Sequence, residues 1–432
     1  MLEPTRTIPA PRLTVPRTLA LLLASAAAAI AVAALVTPGG HTGTRSPDVT
    51  SPAPALPAAS PPAACAPGSS PVGSGGRASA IHARQAALRR VLDTALRAAR
   101  LRVHTPATTA AVVVCGHVVW ADATGVVDLR SQRPATNRSL FVLNSAAKTF
   151  VATMVMLEIQ DGHLSLDTKV SQFYPWLPNA GQISVRMLLD MTSGLPDYLY
   201  NPRIERMMDR RPRHHWTVDQ ILTGLGAGLG APKFLPGRGF QYSDTNYIVL
   251  GAILERVTHR SIEDDLQELI DRPLGITSAT FVPSAAAKAR LAHPYRLSRH
   301  GGLTSEWIPG FGVSSAVWGP VFTDGGLAAS SLDVARFANA LLSGRLVRTA
   351  ELRLMTHIGR GDYGFGLRSR PSDGHVWLGH RGYFGGFEAE DWTDPSRRLT
   401  IAVATNLEVA GSEPTSTRIW TAIARAYDHR TP

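Results

Sequence analysis

The chain has 432 residues, a formal net charge of +11, 44% hydrophobic side chains and 18% charged ones. That length can bury a large core and suits one large or two intimate domains. The positive charge is dispersed among acidic residues, and no basic helix carries interleaved aromatics, so nucleic-acid binding is set aside.

In chain order, residues 1–17 carry Arg6, Arg12 and Arg17 and read as a cytoplasmic basic stub. Residues 18–36, Thr18 to Val36, are charge-free and apolar, at a length where signal peptides and membrane anchors overlap. Cleavage after Ala33 makes the run a signal peptide; without it, the run is an anchor with its arginines on the cytoplasmic side. Either reading exports the rest of the chain, secreted or held at the membrane. Residues 37–80 are Pro, Ala, Gly and Ser with few large apolar side chains, a composition that reads as a disordered linker. Residues 81–432 read as the folded domain. The two cysteines, Cys65 and Cys115, fit an oxidising exterior; a bridge between them would tie the linker to the core, the alternative being two unpaired thiols.

Structure is expected from near Ile81, where Leu88, Val91, Leu92, Ala95, Leu96 and Ala99 recur at helical spacing. Thr109 to Leu129 comes next as two β-branched runs broken at Cys115 and Gly116, then a third extended piece, which together read as a hairpin or meander. The middle of the chain is mostly helical, with "YIVLGAILERVT" and "LDVARFANALLSG" the clearest periodic segments. Near the C-terminus "HVWLGH", "GGFEAEDW" and "RRLTIAVATN" are strand-like, and a last helix is expected near Trp420 to Tyr427. Strands at both ends and helices between them point to an α/β (α+β) fold. Its antiparallel sheet is built from both chain ends and flanked by terminal helices, and a mostly helical inserted lobe leaves a cleft between the two parts.

Several signals are set aside. "GLGAGLGA" (Gly224 to Ala231) comes after a helical stretch instead of a strand, so it reads as a glycine-rich loop and not a phosphate cradle. His214 and His215 lack carboxylates at metal-ligand spacing. "RIERMMDRRPRHH" (Arg203 to His215) is the densest basic run and reads as a solvated loop or helix face, against attraction to anionic wall polymers or lipid headgroups.

One lysine stands out, because only four of the 44 basic side chains are lysines: Lys148, Lys169, Lys233 and Lys288. Asn144 reads as an N-cap, which puts Ser145 in the first turn of a helix with Lys148 on the same face. The residues after it, Phe150 to Ile159, are apolar on nearly every side, so the lysine is expected to lose its water. Desolvation lowers an amine's pKa, and a lysine, unlike an arginine, can then accept the proton of a neighbouring hydroxyl. The bland alternative is a lysine reaching outward from a helix end with the serine as a cap.

Further motifs decide between these. Ser145-Ala-Ala-Lys148, Tyr242-Ser-Asp244 and His380-Arg-Gly382, in this order, resemble the β-lactamase and D-alanyl-D-alanine carboxypeptidase superfamily of serine hydrolases. Class C enzymes and the related carboxypeptidases and esterases are nearest. "GQISVRMLLDMTSGLPDY", "RPLGI" and "DGGLAASSLDVARFANALLSGRL" match the same pattern, and the resemblance covers roughly Thr105 to Asn406. It implies a β-lactamase/transpeptidase-like fold and an acyl-enzyme at Ser145, with Lys148 as its base or as the cation that lowers the pKa of Tyr242. Tyr242 would shuttle a proton to the leaving group, supported electrostatically by His380. The backbone N–H groups of Ser145 and Tyr383 would form the oxyanion hole, with Gly382 beside them.

Two departures matter. Asp244 stands where the pattern commonly has Asn, and a carboxylate near Lys148 favours the charged amine and weakens it as a base. Arg381 stands where Thr or Gly is common, and would either meet a substrate carboxylate or point to solvent. The resemblance implies no metal or cofactor, a monomer, and a small-molecule or peptide substrate, with D-alanyl peptides of cell-wall material foremost. A carboxylesterase is the close competitor. A β-lactamase is disfavoured by His380 in place of the lactamase lysine, and a penicillin- or peptidoglycan-binding receptor without turnover is the rival of another class.

Overall fold

The computed structural model describes residues 75–298, 301–409 and 413–429. The stub, the apolar run Thr18–Val36 and Cys65 lie outside the described residues, as does all but the end of the linker. Among the described residues, no helix is long and apolar enough to cross a membrane.

Seven strands make one antiparallel sheet: β1 (Ala107–Val114), β2 (His117–Asp128), β3 (Arg133–Pro134), β4 (Arg368–Ser372), β5 (His375–Phe384), β6 (Phe387–Asp394) and β7 (Leu399–Thr405), in the order β3-β2-β1-β7-β6-β5-β4. The two ends of the chain meet at the centre, where β1 pairs with β7 from Thr108↔Thr405 to Val114↔Leu399. This is the sheet the strand pattern implies, with two differences. The second and third extended pieces near the N-terminus form one continuous strand, β2. Strand β4, "RSRPS", has no apolar alternation to announce it; its Pro371 is tolerated because β4 is an edge strand with no ladder on its outer side.

Six helices frame the sheet and the site: α1 (Gly75–Val103), α2 (Ala147–Gln160), α3 (Pro202–Arg210), α4 (Thr245–Thr258), α5 (Ser331–Leu342) and α6 (Thr415–Asp428). Helix α1 starts at Gly75, so the last residues assigned to the linker are helical. It buries Leu92, Leu96 and Ala99, and with Ile419, Trp420 and Ile423 of α6 it covers the face of the sheet that carries Ala110, Val112, Ile401 and Val403. Trp377 and Trp420 meet edge to face at 4.9 Å between centroids, a contact worth about 0.5–1.5 kcal/mol beyond its area.

Alternation along the same strands turns Ala111, Ala389, Ala402 and Ala404 to the opposite face, where they join the core of the helical lobe. Small side chains there let α5 lie close: Ser331 and Thr109 share a hydrogen bond of 2.6 Å between hydroxyls. Helix α2 is buried from Ala147 through Glu158, as its all-round apolar sequence requires.

Two-residue turns set the sheet's geometry. Cys115-Gly116 joins β1 to β2 and Gly385-Gly386 joins β5 to β6, and all four residues have positive φ, as the tight hairpin turn demands. Cys115 is disulfide-bonded.

Candidate active site

Ser145 is not in the first turn of a capped α-helix. It sits in a 3₁₀ turn, Asn144–Ala146, that leads into α2, and neither the turn nor the helix has a side-chain cap. Asn144 adopts the left-handed conformation at φ 51°, which Asn tolerates better than most residues. Its side-chain amide donates to the carbonyls of Phe384 and Phe387, both at 3.2 Å, and so clamps the β5–β6 hairpin to the serine turn. The capping expected of Asn144 is replaced by this tertiary clamp.

The register of β5 explains how the hairpin reaches the serine. Strand β4 pairs with β5 only as far as Arg368↔Gly379, so His380 to Phe384 continue beyond it and pack against the 3₁₀ turn. At Gly382 a Cβ would stand 2.2 Å from the Leu143 carbonyl oxygen and 2.5 Å from the Ser145 nitrogen. Only glycine permits that approach. Tyr383, next along, is partly exposed and pairs with Glu388.

Lys148 is wholly buried, as expected, and its amine donates to Ser145 Oγ at 3.0 Å. It also donates to the Asp324 carbonyl at 2.6 Å and forms an ion pair with Asp244 Oδ1 at 2.5 Å. Burial alone would lower its pKa; Asp244 first, then Tyr242 and Asp324, outweigh that and hold the amine above its ordinary value. The expectation that loss of water makes this lysine a ready base is therefore corrected: the resting group is an ammonium.

Asp244 is free to do this because it does not use its side chain to cap α4, at whose entry it lies. Tyr242 stands beside the ammonium, with Lys148 Nζ 5.1 Å from its ring centroid. Burial raises the phenol's pKa, and Lys148 opposes that rise.

His380 is buried, and its pKa falls well below the ordinary value through burial and through the charges of Arg368 and Lys148. A neutral imidazole supplies no positive charge, so the electrostatic support expected from His380 is not there. Nδ1 is engaged by the Arg381 backbone, while Nε2 is buried without a hydrogen-bond partner. The second cation is Arg368, which no sequence motif singles out: its guanidinium lies 5.0 Å from the Tyr242 ring and 5.2 Å from that of Tyr363. Nothing in "LRSR" distinguishes it; the Arg368↔Gly379 register brings it there.

Arg381 is not gathered with the others. It lies opposite Glu390, whose side chain accepts from Trp392 and from Thr417 of α6, so it belongs to the other face of the sheet.

Behind Lys148 lie two further acids, Asp324 and Asp197, to which sequence spacing alone assigns no role. Asp324 accepts from the Tyr198 hydroxyl at 3.1 Å; burial, then Asp244, push its carboxyl up to about 7. Asp197 accepts from the Leu199 N–H at 3.0 Å and is raised well above the ordinary range by burial and by Asp244. The "DGGL" motif holds this corner together, because Leu143 N–H donates to the Leu327 carbonyl at 2.8 Å and Gly325 packs on the Asn144 backbone. Among the described residues, no cluster of side chains suits a metal ion.

The chain is 32% identical to esterase EstB of Burkholderia gladioli over 217 residues, 48% of this chain and 53% of that one. It is 24% identical to a D-aminopeptidase of Brucella canis over 316 residues, 71% of this chain and 58% of that one. The matches thus span somewhat over half the length of these curated relatives. The crystal structure of D-amino acid amidase from Ochrobactrum anthropi, at 23% identity, superposes with a TM-score of 0.67 over 79% of this chain and 99% of its own, a likeness of fold. Residues 88–425 match the family model described as Beta-lactamase, and the chain belongs to that family.

Proposed function

We propose that the protein is an exported serine hydrolase that works through an acyl-enzyme on D-alanyl peptides or related amides and esters. The observation that carries the reading is the 3.0 Å contact between Ser145 Oγ and a wholly buried lysine that shares its pocket with Tyr242 and Asp244. In this reading Ser145 Oγ attacks the acyl carbon as its proton passes to Lys148 in its neutral form. Tyr242 supplies the proton with which the amine or alcohol leaves and takes back the one Lys148 accepted from Ser145; water then hydrolyses the ester, one of its protons returning to Ser145 Oγ through the same groups. The Ser145 and Tyr383 N–H groups hold the oxyanion, where one donor is worth about 100 to 1000-fold in rate.

Arg368 favours a peptide over a simple ester. Among the described residues no carboxylate lies within ion-pair distance of its guanidinium, which stacks on Tyr242, the group that protonates the leaving portion. A leaving group with a carboxylate, such as a C-terminal D-alanine, would complete that pairing. The likeness to EstB keeps a carboxylesterase as the second reading.

The test is covalent labelling of Ser145 by a fluorophosphonate or penicillin probe, followed by the time course of acyl release, on the full chain, which keeps all of α1 and both cysteines. Hydrolysis of D-alanyl peptides, short-chain esters and a chromogenic cephalosporin is then compared. Labelling followed by release is the expected result. Labelling without release makes the protein a receptor, and failure to label overturns the assignment.

A further inference from the structure

We propose that a pocket beside the catalytic cluster is a subsite for a substrate carboxylate remote from the scissile bond, held by Arg203, Arg206 and Lys233. The inference deepens the hydrolase reading and rests on it for the substrate's reacting end.

The pocket, of about 510 Å³, is formed by the turn from Pro196 to Arg203, by Arg206 and by the glycine-rich loop through Lys233. Asn201 builds it. The Asn201 side-chain oxygen caps α3, accepting from Arg203 N–H at 3.0 Å and Ile204 N–H at 3.3 Å, and its amide donates to the Gly228 carbonyl at 2.9 Å. The loop can fold back to meet it because Gly224, at φ +56°, lies so close to Gly228 that a Cβ would stand 2.1 Å from that carbonyl oxygen. Gly228 and Gly230 have open space where a Cβ would be, so at these positions the wall presents backbone to the pocket.

The charges around this space are one-sided. Arg203, Arg206 and Lys233 are exposed, and among the described residues none of the three has an ion-pair partner. Some arginines elsewhere do: Arg260 pairs with Asp265, Arg296 with Glu408, and Arg397 with Asp394 and Asp428. The lining's one acid, Asp197, is buried, and burial and then Asp244 raise its carboxyl well above the ordinary range, which disfavours the charge that would oppose the cations. Three cations on one pocket with a backbone wall suit a carboxylate, which a guanidinium meets with two parallel donors.

The pocket also backs onto the chemistry. Asp197 lines it, while the next residue, Tyr198, donates its N–H to Thr245 Oγ1 at 2.9 Å and its hydroxyl to Asp324, whose carbonyl holds Lys148. Tyr200, which also lines the pocket, feels the charge of Asp244 and Tyr383, so the pocket adjoins the catalytic cluster.

The test compares acetyl-glutamyl-D-alanyl-D-alanine with its glutaminyl counterpart, equal in shape but neutral. The wild-type chain is expected to prefer the glutamyl peptide by about tenfold in kcat/KM, through KM, with the preference shrinking in about 0.5 M salt. Arg203→Glu/Arg206→Glu removes or reverses that preference, and Arg206→Lys keeps most of it. Equal rates for the two peptides in the wild type, or a preference that survives charge reversal, overturns the proposal. If neither peptide is hydrolysed, the D-alanyl reading fails. Calorimetric binding of the same peptides to the Ser145→Ala chain then decides the subsite alone: tighter glutamyl binding that charge reversal abolishes supports it, and equal binding overturns it.

Discussion

At the scale of single residues, the pair Lys148–Asp244 governs the rest. A base must be unprotonated to act, and Asp244 holds Lys148 above its ordinary pKa, so the reactive fraction is small at neutral pH and grows as pH rises. kcat/KM is therefore expected to climb steadily from pH 6 to pH 9. Asp244→Asn removes the largest favourable charge, lowers the lysine's pKa, and should move that limb to lower pH with acylation at pH 7 retained or raised. A pH-rate profile checks this, and a loss above about tenfold would make Asp244 itself the proton's destination. Gly382→Ala makes a second test: its methyl would collide with the backbone at Leu143 and Ser145 and force the hairpin off the serine turn, so acylation should fall about 100-fold or more and the thermal midpoint should drop with it. Ser145, Lys148, Tyr242 and His380 were marked by a family resemblance carried on short local motifs, and the folded chain brings the four together. Whether burial or Asp244 decides the lysine's shift, the neutral histidine and Arg368 were not legible, because each depends on how closely the folded chain packs charges around the group.

At the scale of elements, β6 carries an unusual load: Glu388, Glu390 and Asp391 are all buried on one strand. Glu388 and Glu390 find donors on and around α6, whereas Asp391 Oδ2 has no partner, and burial, then Glu390, push its carboxyl up to about 8. A carboxyl raised on folding binds its proton more tightly in the native state, so its contribution is intact below its unfolded pKa near 4. It is lost as pH climbs from there to about 8. Asp391→Asn, neutral at every pH, should raise the thermal midpoint at pH 8 and leave it nearly unchanged at pH 4; scanning calorimetry at both values is the check, and an equal shift at both would refute the assignment. The elements themselves were largely readable. β-branched and strand-like runs between turn residues marked β1, β2, β5, β6 and β7, and the 3.6-residue period marked α1, α4 and α5. What escaped was β4, a polar edge strand, and the 3₁₀ turn at Asn144, whose conformation is imposed by the hairpin carbonyls and not by its neighbours in sequence.

At the scale of the whole molecule, the central pairing of β1 with β7 makes the sheet a joint venture of both chain ends. A chain stopped after Asp394 would lack β7 and α6, leaving the β1 edge unpaired and the apolar face with Ala110 and Val112 uncovered. Such a truncation should collect in the insoluble fraction; a soluble monomer on size exclusion would contradict the argument. The same closure sets the order of events at birth. While the ribosome is still at work, the first strand waits beside an open seam until β7 and α6 have emerged, so a nascent molecule of this kind should fold late, slowly and under the care of a chaperone.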